Sequence, residues 1–441
     1  MRHQWRRGVL FPGLSFFIFF LLAWPAGAQQ EEIPSQGKPL TLEQCTAMAL
    51  KYHPSLGANQ ATIEASKARV EQALASYYPQ VTFGTTYTYS SANFSGATRT
   101  GTSSWNFYDS YALGPSLTQN IYDFGRTANN VTINRETVKA SEQDLTTTKQ
   151  LVVLNLKQAY FSVLQTLRLI QVAEDTVKQM QDHLAQAQGF YQAGTRPKID
   201  VTKAGVDLAN VQLALVQARN NYQVAQVTLN NALGLRQDLN FPIEDTLGFK
   251  PMEISREDIL KAAYEQRPEL LQLKAKQRAQ EATVKLAQSS YYPILSGNAS
   301  YLFRGGKIED LYWDFLVGAT LNIPLFSGFS SPNQVAEARA NLRNLQAQEE
   351  SLKQNIRLEA DQAYLSLKLA DEQIVVTEKS MAQAQENFEL ATGRYQVGVG
   401  SPLEVTDAEV SLANARANNV TALYNYKTAE AKIEKAMGKV R

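Results

Sequence analysis

The chain has 441 residues, with 43 lysines and arginines against 42 aspartates and glutamates, and this balance argues against a nucleic-acid partner. Its single cysteine, Cys45, allows no internal disulfide, and its three histidines, His3, His53 and His183, form no metal or triad cluster. The chain is therefore read as a non-enzyme with no metal, no cofactor and no catalytic residue.

At the start, Arg2, Arg6 and Arg7 precede an apolar run from Val9 to Trp24 and the small residues Ala26-Gly27-Ala28. That order predicts a signal peptide at 1–28, cut after Ala28. A membrane anchor is the alternative, but the run is short for a span and is broken by Pro12 and Gly13. Cleavage leaves 43 − 3 = 40 basic residues against 42 acidic ones, a balance of −2. Cys45 lies well past the apolar run, in the wrong place to accept a lipid.

A polar leader, 29–39, follows. Residues 40–52 are predicted as a short helix capped by Thr41, and Pro54 to Tyr78 as a second one that Pro79 stops. Beyond Pro79 the period changes to two. Val81, Phe83, Tyr87 and Tyr89 alternate with Thr82, Gly84, Thr86 and Thr88, and the same alternation recurs over 106–121, 295–303 and 313–323. Four strands of about ten residues, aromatic near their ends and polar on the second face, fit a transmembrane β-barrel. A soluble sheet packed on one face has the same pattern, segment by segment. In a bilayer, unpaired strand edges cost several kcal/mol per group, and four strands are too few to close a barrel, so several chains would have to share one.

The rest is helix. From Arg126 to Gln188, 63 residues contain no glycine or proline, enough for about 95 Å of helix, and 333–392 is a matching run. Val152, Leu156, Ala159, Val163, Ile170, Ala173, Val177, Met180 and Leu184 follow 3,4 spacing, with Thr166 the polar member, as in a coiled-coil seam. Returning helices are predicted from Asp200 to Ala232 and from Glu404 to Met437, with the shorter helices before the strands stacked end to end on them. Between the outgoing and returning helices lie two tips, Tyr191-Gln192-Ala193-Gly194-Thr195-Arg196-Pro197 and Tyr395-Gln396-Val397-Gly398-Val399-Gly400-Ser401, at an offset of 395 − 191 = 204.

At that offset Gln158-Ala159-Tyr160 falls on Gln362-Ala363-Tyr364. At 214, Tyr77-Tyr78-Pro79 falls on Tyr291-Tyr292-Pro293. The chain thus reads as a two-fold internal repeat. The first copy is 40–234, with a β-hairpin at 80–122 and a helical hairpin at 124–234. A linker covers 235–253. The second copy is 254–438, with a β-hairpin at 294–325 and a helical hairpin at 329–437.

The Tyr-Gln-x-Gly tips, the Tyr-Tyr-Pro junctions and the strand-to-helix junctions Ile121-Tyr122-Asp123-Phe124-Gly125 and Leu325-Phe326-Ser327-Gly328-Phe329 together resemble the TolC family of outer-membrane efflux and secretion channels. The resemblance covers about 40–438. It implies a mixed α and β membrane protein of the Gram-negative outer membrane: a homotrimer with a twelve-stranded β-barrel in lipid and an α-helical tunnel in the periplasm, with 235–253 as part of an equatorial belt. It also implies partners, a periplasmic adaptor and an inner-membrane pump, and a role as exit duct of a tripartite efflux pump or as the outer channel of a type I protein secretion system. A periplasmic adaptor or coiled-coil scaffold is the alternative of another class.

By position the family's closing bond falls on Tyr395 and a neighbouring Asp200, and its ring of entrance acids on Glu404 and Asp407. Three chains would gather six such carboxylates and favour cations, although acids at a helix start also simply suit its dipole. The tip residues Ala193, Gly194, Thr195, Val397, Gly398 and Val399 would meet the adaptor, although turn chemistry alone also accounts for the glycines. One departure is plain: the arginine that the family carries after the second tip glycine is Gly400 here, and Arg196 sits in the first tip.

Overall fold

The computed structural model describes residues 39–93, 105–235 and 242–439. The signal peptide, all of the leader but Pro39, most of the first strand loop and residues 236–241 of the linker lie outside them.

Among the described residues, eight α-helices and four strands follow in the order α1 (Leu42–Tyr52), α2 (Pro54–Leu74), β1 (Gln80–Asn93), β2 (Trp105–Tyr122), α3 (Arg126–Gln192), α4 (Lys198–Leu233), α5 (Arg256–Gln266), α6 (Pro268–Gln288), β3 (Ile294–Gly305), β4 (Tyr312–Asn322), α7 (Ser330–Gln396) and α8 (Pro402–Ala436). Helices thus make up most of the chain, beside one small antiparallel sheet. Local chemistry sets the boundaries. Thr41 and Gln44 exchange side-chain and backbone bonds at the start of α1. Asp123 accepts from the backbone of Gly125 and Thr127 and so launches α3.

The strands pair in the order β1-β2-β3-β4, all antiparallel, so β1 and β4 are open edges. Register places Val81 opposite Leu117, Leu113 opposite Phe303, Ala299 opposite Val317 and Tyr301 opposite Phe315. Those residues form one continuous apolar face. Thr82 opposite Ser116, Ser116 opposite Ser300 and Ser296 opposite Thr320 form the other, which is polar. Nothing in the described chain covers the apolar side: Phe83 is 71 % and Trp313 68 % exposed. A soluble sheet buries that face, so this one is built for another solvent. Pro115 lies inside β2, where it has no N–H to donate, and the pairing with β3 lapses at Gly114 and Pro115 before resuming in the same register.

α3 and α7 each span 67 residues, about 100 Å. Both outrun the glycine-free stretches. α3 crosses Gly189, a cost of about 1 kcal/mol spread over a long helix, and α7 starts at Ser330 because Pro332 sits in its first turn, where a proline N–H is not needed. α3 packs against α1, α2, α4, α6 and α8. Its buried set is therefore wider than one 3,4 seam: Val152, Leu156, Ala159, Val163 and Met180 are buried as expected, but so are Val153, Tyr160, Leu164 and Ala187, while Ile170, Ala173, Val177 and Leu184 are only partly covered.

The short helices abut the returning ones. Gly234 ends α4 at φ 74° and sits so close to the α1–α2 junction that a Cβ there would lie 2.6 Å from the His53 Cα. Gly438 repeats this past α8, with a Cβ position 2.9 Å from the Gln266 carbonyl. At the same level two buried tyrosines tie down the linker: Tyr160 donates to the carbonyls of Leu40 and Glu244, and Tyr426 donates to that of Lys250 while accepting from the Met252 N–H.

Candidate functional site

Residues 193–197 join α3 to α4, and residues 397–401 join α7 to α8. Both tips close the same way. A glycine in the left-handed region, Gly194 at φ 73° and Gly398 at φ 82°, lets Thr195 N–H reach the Phe190 carbonyl at 3.0 Å and Val399 N–H reach that of Arg394 at 3.1 Å. Ser401 then caps α8, accepting from the Glu404 N–H, and Pro402 fills the first helical position.

The tips differ in what they hold. Arg196 crosses from the first to the second, where Nη2 donates to the Gly400 carbonyl at 2.9 Å and reaches the Gly398 carbonyl at 3.4 Å. Its guanidinium also lies 5.7 Å from the centre of the Tyr395 ring. Position 400 admits no side chain: a Cβ would stand 2.8 Å from the Tyr395 nitrogen and 3.0 Å from the Arg394 carbonyl carbon. A side chain at 400 would therefore crowd the backbone of the turn, and the guanidinium that reaches this turn comes from the first tip.

Tyr395 is fully buried, with His183 at 5.1 Å and Phe190 at 5.4 Å between ring centres. Its hydroxyl has no hydrogen-bond partner among the described residues. Burial, and then the nearby Asp200 charge, push the phenol above its ordinary range, with Arg196 opposing. Asp200 is half-buried in the first turn of α4, near Tyr395 but not bonded to it.

Glu404 and Asp407 stand three apart on α8, both exposed, at the edge of the stripe buried through Val405, Ala408 and Leu412. Glu404 pairs with Arg394 across the tip at 3.5 Å, an exposed contact worth at most about 1 kcal/mol. Val397 and Val399, more than two-thirds exposed, Ala193, Gly194 and Gly398 make the tip surface small and apolar, and Ile199 and Leu403 extend it. The Thr195 hydroxyl is turned inward to the Phe190 carbonyl.

One group escaped the sequence reading. Glu409 lies in the register of Val405 and Leu412 and is 1 % exposed, beside Gln179 and a cavity that it shares with His183 and Thr392. An acid in the buried register of an otherwise apolar stripe was the available signal. Among the described residues no three His, Cys, Asp or Glu side chains are placed to hold a metal, and no helix is long and apolar enough to cross a membrane.

The family model "Outer membrane efflux protein" matches residues 46–235 and 259–439. The outer membrane protein TolC of Escherichia coli K12 is 25 % identical over 420 residues, covering 90 % of this chain and 82 % of its own length. The cation efflux system protein CusC of the same organism is 25 % identical over 397 residues, 86 % and 82 % of the two chains. Among solved structures, the outer-membrane channel OprN superimposes with a TM-score of 0.79 at 18 % identity, covering 90 % of this chain and 89 % of its own.

Proposed function

We infer that this chain, which belongs to the outer membrane efflux protein family, is the exit duct of a tripartite efflux pump and carries small molecules across the periplasm and the outer membrane. The observation that carries the reading is the four-stranded sheet with one uncovered apolar face, one polar face and two open edges, set on helices about 100 Å long. Open edges are not tolerated in hydrocarbon. Three copies joined β4 to β1 would leave none, giving twelve strands with lipid outside and water inside. The helical hairpins would then form the periplasmic tunnel, with a periplasmic adaptor on the apolar tips and an inner-membrane pump beyond it. The proposed division of the chain is a signal peptide at 1–28, two repeats at 40–234 and 254–438, and an equatorial linker between them. It performs no chemistry of its own in this reading.

At the entrance, Glu404 and Asp407 of three protomers would form the acidic ring, and the Tyr395 hydroxyl would close onto Asp200 on the neighbouring tip. Arg196 would hold the two tips of each protomer together. The test is single-channel recording of the purified mature protein in a planar bilayer, beside a Glu404→Ala/Asp407→Ala variant. Cation-preferring steps that lose their preference in the variant are expected. Steps with unchanged selectivity remove the ring from the entrance, and silence from intact, heat-resistant trimers counts against an open conduit.

A further inference from the structure

Nine residues beyond Gly400, about 14 Å along α8, the helix packs on both α3 and α7. There it closes a cavity of about 220 Å³ lined by Gln179, Met180, Asp182, His183 and Gln186 of α3, Phe388, Thr392 and Gln396 of α7, and Val405 and Glu409 of α8. Its wall is polar and incompletely paired: His183 Nδ1 and Thr392 Oγ1 are buried without a hydrogen-bond partner among the described residues. The one acid wholly inside it is Glu409.

We propose that Glu409 and this cavity form a proton-binding site in the seam between the two helical hairpins, protonated when the seam is packed and ionised when the hairpins part, so that pH sets the width of the tunnel entrance. The proposal rests on the duct reading and adds a control to it.

Three observations support it. First, the Gln179 amide is a partner for either form of the acid. Its terminal atom lies 2.9 Å from Glu409 Oε2 and closer still to Oε1. Turned oxygen-first it accepts from a protonated carboxyl, and turned NH2-first it serves a carboxylate, so the site exchanges a proton without rebuilding the backbone. Second, no full countercharge is available. Arg416, one helical register along α8, leans away to Gln385 and Asp175, the latter at 3.9 Å. From α3 come Asp175 and Asp182, both acids, and His183. From α7 come only Phe388, Thr392 and Gln396. α4 contributes Asp200, Lys203 and Asp207, whose charges act on His183. Third, burial, partly offset by Arg416 and reinforced by Asp175, raises the Glu409 carboxyl to about 7. Burial lowers His183 below its ordinary value, which disfavours a charged imidazole beside the carboxyl.

The sign follows. A carboxyl whose packed-state value is raised favours the packed seam in full below its ordinary value, and that preference is lost as pH rises through about 7. The entrance is therefore tighter in mild acid and looser in mild base.

The experiment compares wild type, Glu409→Gln and His183→Gln trimers in planar bilayers between about pH 5 and pH 9, with difference infrared spectra of the same proteins for the carbonyl stretch of a protonated carboxylic acid. Wild type should show a rise in open probability with a midpoint near neutrality and loss of the acid band over the same range. Glu409→Gln should keep its low-pH open probability throughout and lack the band; His183→Gln should keep both transitions. A Glu409→Gln channel with the wild-type pH response overturns the proposal. So does a wild-type spectrum without a protonated carboxyl in mild acid, and that arm decides even where the variant fails to assemble. Silence at every pH with the band present sinks the duct reading and leaves no entrance for Glu409 to control, whereas conduction without the band sinks the proton site alone.

Discussion

Removing the guanidinium of Arg196 is the sharpest test of how the tips are held. Its bond to the Gly400 carbonyl, 2.9 Å from a charged donor, is worth about 1.5 kcal/mol at the low end of the range for charged groups, as suits a half-exposed site. The 3.4 Å approach to the Gly398 carbonyl adds little. The stacking over Tyr395, 5.7 Å from the ring centre, adds about 0.5 kcal/mol. Together they come to about 2 kcal/mol, roughly a 30-fold shift in the ratio of joined to separated tips in each protomer. Arg196→Ala should therefore raise open probability in single-channel recordings by at least tenfold while leaving trimer stability unchanged, because both partners are backbone carbonyls at an exposed turn. Arg196→Lys keeps the charge but loses the planar fork and the stacking, and should fall between. Wild-type gating in Arg196→Ala would refute the reasoning and show that the tips are held elsewhere.

Two further outcomes follow from the sheet and from the equatorial helices. Val317→Arg places a charge on the uncovered apolar face and should cost about 2–4 kcal/mol near mid-membrane, abolishing heat-resistant trimers in outer-membrane fractions, whereas Asn298→Arg on the polar face should be tolerated; equal loss from both would mean that lipid does not lie against that face. Gly234→Ala should lower the thermal midpoint, read by circular dichroism, far more than Gly194→Ala. Both glycines sit at similar positive φ, costing about 1–2 kcal/mol for an alanine, but only at 234 does the new methyl meet the His53 backbone, while 194 faces open space; matching shifts would refute the crowding.

Period and punctuation made the elements legible. The change from 3.6 to 2 after Pro79 and Pro293, and the glycine at each tip, located the strands and hairpins to within a few residues. The exceptions have local causes: a lone Gly189 or a first-turn Pro332 does not end a helix whose flanks are packed along their length. The sharing of α3 among five other helices was not legible, because one seam of 3,4 spacing does not reveal how many neighbours a helix has. At the tips, the shared face of Glu404 and Asp407 was visible in their spacing. The crossing of Arg196 was not, since it depends on two loops 204 residues apart meeting in space.

Positions separated by 204 residues also show where the two hairpins have been made different. Tyr395 is fully buried while Tyr191 is 46 % exposed. Asp407 stands where the first hairpin has Lys203, Glu409 where it has Gly205, and Gly400 where it has Arg196. These four pairs lie within about 15 Å of the tips, and the shafts differ too, as where Lys157 stands at the offset position of Asp361. The four pairs place Asp407, Glu409 and a buried phenol on the second hairpin and the bridging cation on the first, while Asp200 and Glu404 keep an acid at the same position of both. In the proposed duct that division would suit an entrance in which one hairpin moves and the other holds it: the carboxylates would travel with α8, and Arg196 would grip the turn that must let go.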